Sequence, residues 1–377
     1  MASRLSAELL QIIFSDVAGA PRNHTRYEHR IQERIQDLLS CALVCRAWRY
    51  EAQRALEAVI LITNRKQLVT RLTSRWAARP GVRQIIIAQR WHVHGNRGLD
   101  LHDILDCSMP QLQSLVLREG ITLQNSNQLR PTERVNLAAL RELTLAEHGP
   151  TGYWQPLLLS LPRLQHLHLS QLNWKAVGNL EQPPFSLTSL EISHCDMGLG
   201  PLQWLVAKSA ESLCSLSVEG LQQEWDTFIH LSAMRAGGLL PKVRHLSFSG
   251  PETAHSSYSK VLPKKVTDPL ACWGGIESTY IRAGDAKMRS AIINGIAAIS
   301  PPPVIELDAS QMQFHDLKAV FRTRKAKLQP ETVLRLTTEL DYRSTWGYWS
   351  DEYAEDAQDL AQMNGVVLEM DKVPHHA

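Results

Sequence analysis

Two histidines, His166 and His168, are the side chains whose types and spacing come closest to supporting chemistry. If they lie in a strand, alternation places both imidazoles on the same side of it. Glu142 and Glu191 take similar places in neighbouring copies of the same short phrase. Imidazole and carboxylate groups bind divalent metal ions, so these four residues are the best candidate for a metal or catalytic site.

Other features of the sequence favour a protein without catalytic residues. The chain contains no Gly-rich phosphate loop, no His-Glu-x-x-His motif and no Gly-x-Ser-x-Gly turn. Cys41 and Cys45 could share a helix face, but a structural zinc site needs a second pair nearby. We therefore expect no enzyme, no metal and no cofactor, and interpret the histidine pair as part of a polar sheet surface.

One short phrase recurs along the chain: apolar, two residues, apolar, one residue, apolar. Its third positions are 23 to 33 residues apart. The clear copies are Leu112/Leu115/Leu117, Leu140/Leu143/Leu145, Leu164/Leu167/Leu169, Leu187/Leu190/Ile192, Leu213/Leu216/Val218 and Val243/Leu246/Phe248. Weaker copies are Leu56/Val59/Leu61 and Val82/Ile85/Ile87, with later ones ending at Ile281, Leu307, Leu336 and Leu368.

The last two apolar residues of each phrase are two apart, so they share one face of a short strand. Stacked copies bury that face together, which one copy cannot do alone. The pattern resembles the leucine-rich repeat family over most of residues 56–370. The copy beginning at Leu187 carries Cys195 where that family places Asn or Cys. An ordinary α/β domain with Leu-rich parallel strands is the alternative.

The resemblance implies an α/β solenoid with parallel strands on a concave face and with helices and loops on the convex face. Residues that alternate with the buried leucines would line the concave face and could bind a protein substrate. A solvated sheet face without a partner would have the same composition. The candidate substrate-binding residues are Arg118, Glu142, His166, His168, Glu191 and His245.

The first fifty or so residues predict three short helices, at Leu5–Val17, Asp37–Arg49 and Glu51–Ala58. The polar connector Ala18–Gln36 separates the first two. Leucines, isoleucines and valines cover more than one face of these helices, and so small a unit cannot bury them all. This surplus predicts an interaction surface.

This module resembles the F-box family through Leu5-x-x-Glu8-Leu9-Leu10-x-x-Ile13-Phe14 and the stretch from Asp37 to Arg49, above all Val-Cys-Arg-Ala-Trp. It departs from the family in having Ser6 in place of proline and a longer connector. The resemblance implies docking onto the Skp adaptor of a cullin-RING (SCF-type) ubiquitin ligase, with the repeats holding an unidentified protein substrate. The candidate adaptor-binding residues are Leu5, Ile13, Phe14, Leu38, Leu39, Val44, Cys45 and Trp48.

The motif alone does not separate adaptor contacts from residues of the module's own core. The function expected from the resemblance is therefore substrate recognition for ubiquitin-dependent degradation. A non-degradative F-box and leucine-rich repeat scaffold for protein interactions is the alternative.

The domain expectation is an F-box module at 1–55 and a repeat solenoid at 56–372, with an insertion loop near 250–275. The net charge of +2 gives no reason to expect nucleic acid as a partner. Six scattered cysteines, the lack of a signal-peptide core and the lack of a long apolar stretch favour an intracellular protein without a membrane partner. The sequence leaves cytoplasmic and nuclear residence open.

Overall fold

A computed structural model forms two compact units, residues 1–166 and 167–377, which we call unit 1 and unit 2. The structure describes residues 27–62, 81–87, 99–100, 109–117, 121–122, 137–146, 154–174, 181–197, 199–220, 224–249, 273, 276–282, 304–308, 333–338, 351–363 and 367–372. The predicted helix at 5–17 and most of the predicted insertion at 250–275 lie outside these residues.

Helices occur in both units. Unit 1 contains α1 (Tyr27–Val44), α2 (Arg46–Ala58) and α3 (Trp154–Leu159), and unit 2 contains α4 (Leu199–Val206), α5 (Glu224–Ala236) and α6 (Asp351–Met363). Ser350 followed by two acidic residues predicts the start of a helix, and α6 begins at Asp351. Among the described helices, none combines the length and apolar character needed to cross a bilayer.

The strands of unit 1 are β1 (Val59–Ile62), β2 (Gln84–Ile87), β3 (Leu99–Asp100), β4 (Ser114–Leu117), β5 (Ile121–Thr122) and β6 (Glu142–Ala146). They pair in parallel in the order β1-β2-β4-β6, and β3 pairs separately with β5. Each main strand therefore lies beside the main strand of the next phrase.

The strands of unit 2 follow the same rule. They are β7 (His166–Ser170, whose first residue belongs to unit 1), β8 (Asn173–Trp174), β9 (Ser189–Ser193), β10 (Asp196–Met197), β11 (Ser215–Glu219), β12 (His245–Ser249), β13 (Ser278–Arg282), β14 (Val304–Asp308), β15 (Val333–Thr338) and β16 (Val367–Lys372). The sheet order is β7-β9-β11-β12-β13-β14-β15-β16, with β8 pairing β10. The predicted α/β arrangement of parallel strands, stacked as the turns of a repeat solenoid, is confirmed.

Leucines of the repeated phrase form the core because they occupy one face of every main strand. We call this the core face of the sheet and the other side the front face, which is the predicted concave surface. Aligned core-face residues are fully buried from strand to strand. They include Leu115, Leu143, Leu190, Leu216 and Phe248.

Two of the weaker phrases were predicted in the wrong register. Ile60 and Ile62 of β1 align with Ile85 and Ile87, so Val59 and Leu61 lie on the front face. At the other end, Leu368 aligns with Leu334 and Met370 with Leu336, a shift of two residues that keeps Leu368 on the core face. A shift of one residue moves every side chain of a strand to the other face. The error in β1 arose because Val59–Ile62 is a run of apolar residues that lacks alternation.

The helix boundaries near the N-terminus also differ from the prediction. Helix α1 starts by Tyr27, so the second half of the predicted polar connector is helical. The boundary between the two helices lies at Cys45, whose backbone is extended (φ −161°, ψ 171°), and not at Tyr50 as the sequence predicts. Glu, Arg and Gln are good helix formers, which explains why a charged stretch extends the helix.

The turn after each of three successive main strands of unit 2 has the same left-handed backbone. Gln171, His194 and Gly220 follow β7, β9 and β11 with φ of 54°, 51° and 63°. The N–H of Gln171 donates to Ser193 O at 2.8 Å, and the N–H of His194 donates to Glu219 O at 2.7 Å. At Gly220 a Cβ would run into the imidazole of His194, which explains the glycine there.

The side chain of Cys195 connects the turn after β7 with the turn after β9. The N–H of Leu172 donates to Cys195 Sγ at 3.5 Å, and Sγ lies 3.5 Å from Leu169 O and 3.4 Å from Ser193 O. The thiol therefore satisfies backbone groups as the polar residue of the longer repeat consensus would. Burial raises the pKa of the Cys195 thiol to about 11, against an opposing effect of the backbone hydrogen bonds.

Cys195 is expected to resist alkylation in the folded protein. Its raised thiol pKa and its burial leave little accessible thiolate at pH 8, whereas Cys214 is exposed. We expect iodoacetamide to modify Cys195 at least about tenfold more slowly than Cys214. Mass spectrometry of the labelled peptides measures both rates, with denatured protein as the control in which both react. Equal rates in the folded protein would contradict the buried position.

Candidate docking site

The helical hairpin of α1 and α2 has its own small core. Leu38 and Ala52 are buried at its centre, and side chains from both helices pack around them. These surrounding residues are Cys41, Ala42, Trp48, Ala55 and Leu56. The F-box-like stretch therefore supplies the hairpin with residues that hold its two helices together.

The turn at Cys45 fixes the angle between the two helices. Arg49 N–H donates to Cys45 O at 2.9 Å, which starts α2. Arg49 Nε donates to Ala42 O at 3.4 Å, near the end of α1.

Burial raises the pKa of the Cys41 thiol, as does the nearby carboxylate of Asp37. Cys41 packs against the hairpin core, and both Cys41 and Cys45 are free thiols with half-buried side chains.

The last two turns of α1 carry large apolar side chains that are exposed. They are Leu39, Leu43 and Val44, which we call the apolar patch. Tyr50 in α2 is also exposed. Leu39 and Leu43 are four residues apart and so lie on the same side of the helix. The hairpin thus buries Leu38 on one side of α1, whereas Leu39 and Leu43 on another side are exposed to solvent.

The structure separates the predicted adaptor-binding residues into two groups. Leu38 is buried in the hairpin core, and Trp48 packs beside it. Leu39 and Val44 are exposed, and Cys45 is half-buried between the helices. Leu5, Ile13 and Phe14 lie outside the described residues. Among the side chains of α1 that the structure describes, Leu43 is the most exposed apolar one, and sequence reasoning did not single it out, although it lies four residues after Leu39.

A different side of α1 covers part of the front face of unit 1. Ile35 packs against a cluster of Ile86 and Val116, together with Val59 and Leu61. The last four residues are the front-face positions of β1, β2 and β4. On these strands the chain's own helix therefore covers part of the predicted concave face, which also carries the hydrogen-bonded polar pair Gln84 and Ser114.

Further along unit 1 the front face becomes polar. Glu142 and His166 are exposed, and Thr144 is half-buried in the position next to Val116. Arg118 lies outside the described residues. Substrate binding by Glu142 and His166 stays a prediction, and both side chains are accessible to solvent.

In unit 2 the remaining candidate residues pair across strands. His168 Nε2 lies 3.3 Å from Ser193 Oγ and 3.9 Å from Glu191 Oε1. His245 Nδ1 lies 2.7 Å from Ser278 Oγ, and His245 Nε2 lies 3.8 Å from Glu277 Oε2. His168 is buried, Glu191 is half-buried and His245 is exposed. The candidates thus form separate pairs.

This geometry does not favour catalysis. A serine–histidine–carboxylate relay needs the serine and the carboxylate on opposite nitrogens of the imidazole. Ser193 and Glu191 both approach Nε2 of His168. In the part of the chain that the structure describes, no three His, Cys, Asp or Glu side chains are grouped as metal ligands.

Comparison with known proteins adds no assignment. No protein-family model matches the chain, and no curated protein matches it.

Replacing Ile86 with alanine is expected to destabilise the protein, although this residue lies on the predicted concave surface. Ile86 is almost fully buried under Ile35, so the change leaves a cavity that should cost about 2 kcal/mol or more of unfolding free energy. Thr144→Ala, at the same level of the sheet, should cost less than about 0.5 kcal/mol. Urea denaturation of each variant measures the difference. Equal effects would show that α1 does not cover this part of the face.

Proposed function

We propose that this protein recognises substrates for an SCF-type cullin-RING ubiquitin ligase, with the α1–α2 hairpin docking a Skp adaptor and the front face binding a protein substrate. The observation that carries the proposal is the apolar patch of Leu39, Leu43 and Val44 within an F-box-like motif. No catalytic residue in this chain is needed, because the ligase supplies the chemistry.

The exposure of the apolar patch is energetically unfavourable for an isolated protein. Burying a leucine or valine side chain contributes roughly 1.5–3 kcal/mol relative to leaving it in water. Three such side chains on two helical turns can supply several of the central contacts of an interface. Because Leu39 and Val44 are already about half buried, a partner would gain only part of this free energy at those two side chains and the largest share at Leu43.

The direct connection between the hairpin and the repeats supports the two proposed roles, adaptor docking by the hairpin and substrate binding by the repeats. Helix α2 ends at Ala58 and β1 begins at Val59, so no linker separates them. The N–H of Val59 donates to Leu56 O, and Ile35 ties α1 to the front face of unit 1. A docked adaptor would therefore hold the first strands of the repeats in a fixed orientation, as presentation of a substrate requires.

Introducing a charge into the apolar patch should disrupt adaptor binding and leave the fold intact. Leu43 is 80% exposed, so Leu43→Glu should change the unfolding free energy by less than about 0.5 kcal/mol. In a complex the carboxylate would be buried without a partner, and we expect the affinity for a purified Skp adaptor to fall at least about tenfold. Calorimetry with the full chain measures the affinity.

The chain offers matched controls. Met363, in the last turn of α6, is 81% exposed, and Leu239 matches Leu39 at 44% against 45%. Met363→Glu and Leu239→Glu should leave adaptor binding unchanged, whereas Leu39→Glu should weaken it. Undetectable adaptor binding by the wild-type chain, or equal binding by all four variants, would refute the proposed docking.

Reconstitution with the cullin and RING subunits separates the proposal from its alternative. Transfer of ubiquitin to a captured client, lost in Leu43→Glu and kept in Met363→Glu, would support substrate recognition. Adaptor binding without cullin recruitment, or without any ubiquitinated client, would favour the non-degradative scaffold.

A further inference from the structure

Two arginines at the start of α2 border the apolar patch. Residues 38–50 carry two charged side chains, Arg46 and Arg49, and no acidic one. Both arginines are exposed. Arg46 lies two residues after Val44, directly beyond the turn at Cys45. The apolar side chains and the two cations therefore belong to the same end of the hairpin.

A hydrogen bond holds Arg49 against the part of α1 that carries the patch. Its Nε donates to Ala42 O at 3.4 Å, and Ala42 directly precedes Leu43. The N–H groups on the two Nη atoms of the guanidinium can still bind a carboxylate. The ion pairs formed among the described residues involve neither Arg46 nor Arg49. A side chain that is already held in place loses less conformational entropy when a partner binds it.

The acidic side chains that the structure describes in the hairpin do not neutralise this end. Glu51 is buried in the protein. Glu57 lies near the other end of α2, about 16 Å along the helix from Arg46, and Arg54 lies one turn before it. Asp37 lies about two turns, roughly 10 Å, before the end of α1. The described charge around the turn is therefore positive.

Tyr50 extends the exposed surface along α2. It is 68% exposed and lies four residues after Arg46, so the two side chains lie on the same side of the helix. Tyrosine and arginine are among the residue types that most often dominate the binding energy of protein interfaces. The end of the hairpin thus combines apolar side chains that water disfavours with an aromatic ring and two cations.

We propose that the docking surface comprises the apolar patch together with Arg46, Arg49 and Tyr50, and that it takes a protein partner whose apolar groove is bordered by carboxylates. That partner is the Skp adaptor of the proposed function, on which this inference rests. The apolar side chains bind in the groove, and the guanidinium groups form charge-assisted hydrogen bonds with the carboxylates. Charges at the rim of an interface act mainly on the association rate and its salt dependence.

The same arginines argue against a second copy of this chain as the partner. In a two-fold dimer the same surface of each subunit meets the other. Such pairing would bring Arg46 and Arg49 of both copies into one interface, where juxtaposed like charges cost free energy. A groove bordered by carboxylates avoids this cost and covers the leucines equally well.

Removal of the two charges should slow the encounter with the adaptor. Surface plasmon resonance with the full chain and a purified Skp adaptor measures the association and dissociation rates. For Arg46→Gln/Arg49→Gln in about 50 mM salt we expect the association rate to fall about tenfold and the dissociation rate to change less than about threefold. In about 1 M salt the two association rates should agree within about twofold, because exposed charges are then screened.

Two further variants separate charge from structure. Arg46→Lys/Arg49→Lys loses the hydrogen bond from Arg49 Nε but keeps both charges, so it should retain most of the association rate. Arg163→Gln removes an exposed arginine from the turn before β7 and should leave both rates unchanged. Thermal denaturation shows whether each variant is folded. If the glutamine variant is unfolded, the salt dependence of the wild-type association rate decides.

Equal association rates of the wild-type chain and the glutamine variant at low salt would overturn the inference, and so would a wild-type rate that does not depend on salt. Either result leaves adaptor docking through the apolar patch standing. A dimer of the isolated chain in sedimentation, dissociated by Leu43→Glu, would also overturn the inference, since a second copy would then cover the patch. Undetectable adaptor binding by the wild-type chain would instead refute the proposed function and this inference together.

Discussion

The contact of Ile35 with the front face of β1, β2 and β4 determines which surfaces of unit 1 remain for partners. Ile35 lies on one side of α1 and packs on the sheet. Leu38, three residues later, lies on a second side and packs in the core of the hairpin. The helix has now used two of its faces within the chain. Leu39 and Leu43 lie on neither, which is why the hairpin can fold and still leave these leucines exposed.

The same contact explains the composition of the front face. A β-strand residue between two core leucines is aliphatic where the chain's own helix covers it, as at Ile86 and Val116. It is a serine, histidine or glutamate in β7, β9, β11 and β12 of unit 2. An uncovered aliphatic row would be costly in water, and a covered polar row would need a hydrogen bond for every group. The residue type at the front-face position between two core residues therefore indicates whether another part of the chain packs on that strand.

Most of the core could be predicted from the sequence because alternation identifies it. In β6, β9 and β11 an apolar residue alternates with a polar one, so strand and face follow together. In Val59–Ile62 and Gln84–Ile87 the apolar residues run together, so the pattern predicts a strand but not which of its two faces is buried in the core. The missed start of α1 has a similar cause. Ile31, Ile35 and Leu38 have helical spacing, but the charged residues between them made the stretch resemble a connector.

The division of the F-box-like motif into core and patch depends on information that the sequence lacks. Leu38 and Leu39 are adjacent and chemically identical, yet one is buried and the other exposed. Only the position of α2 and of the sheet decides between them. The two candidate surfaces also differ in what their exposure implies. A polar front face is stable in water and has no energetic need of a partner, whereas exposed leucines are unfavourable until something covers them. The apolar patch is therefore a stronger physical argument for a binding partner than the polar front face is.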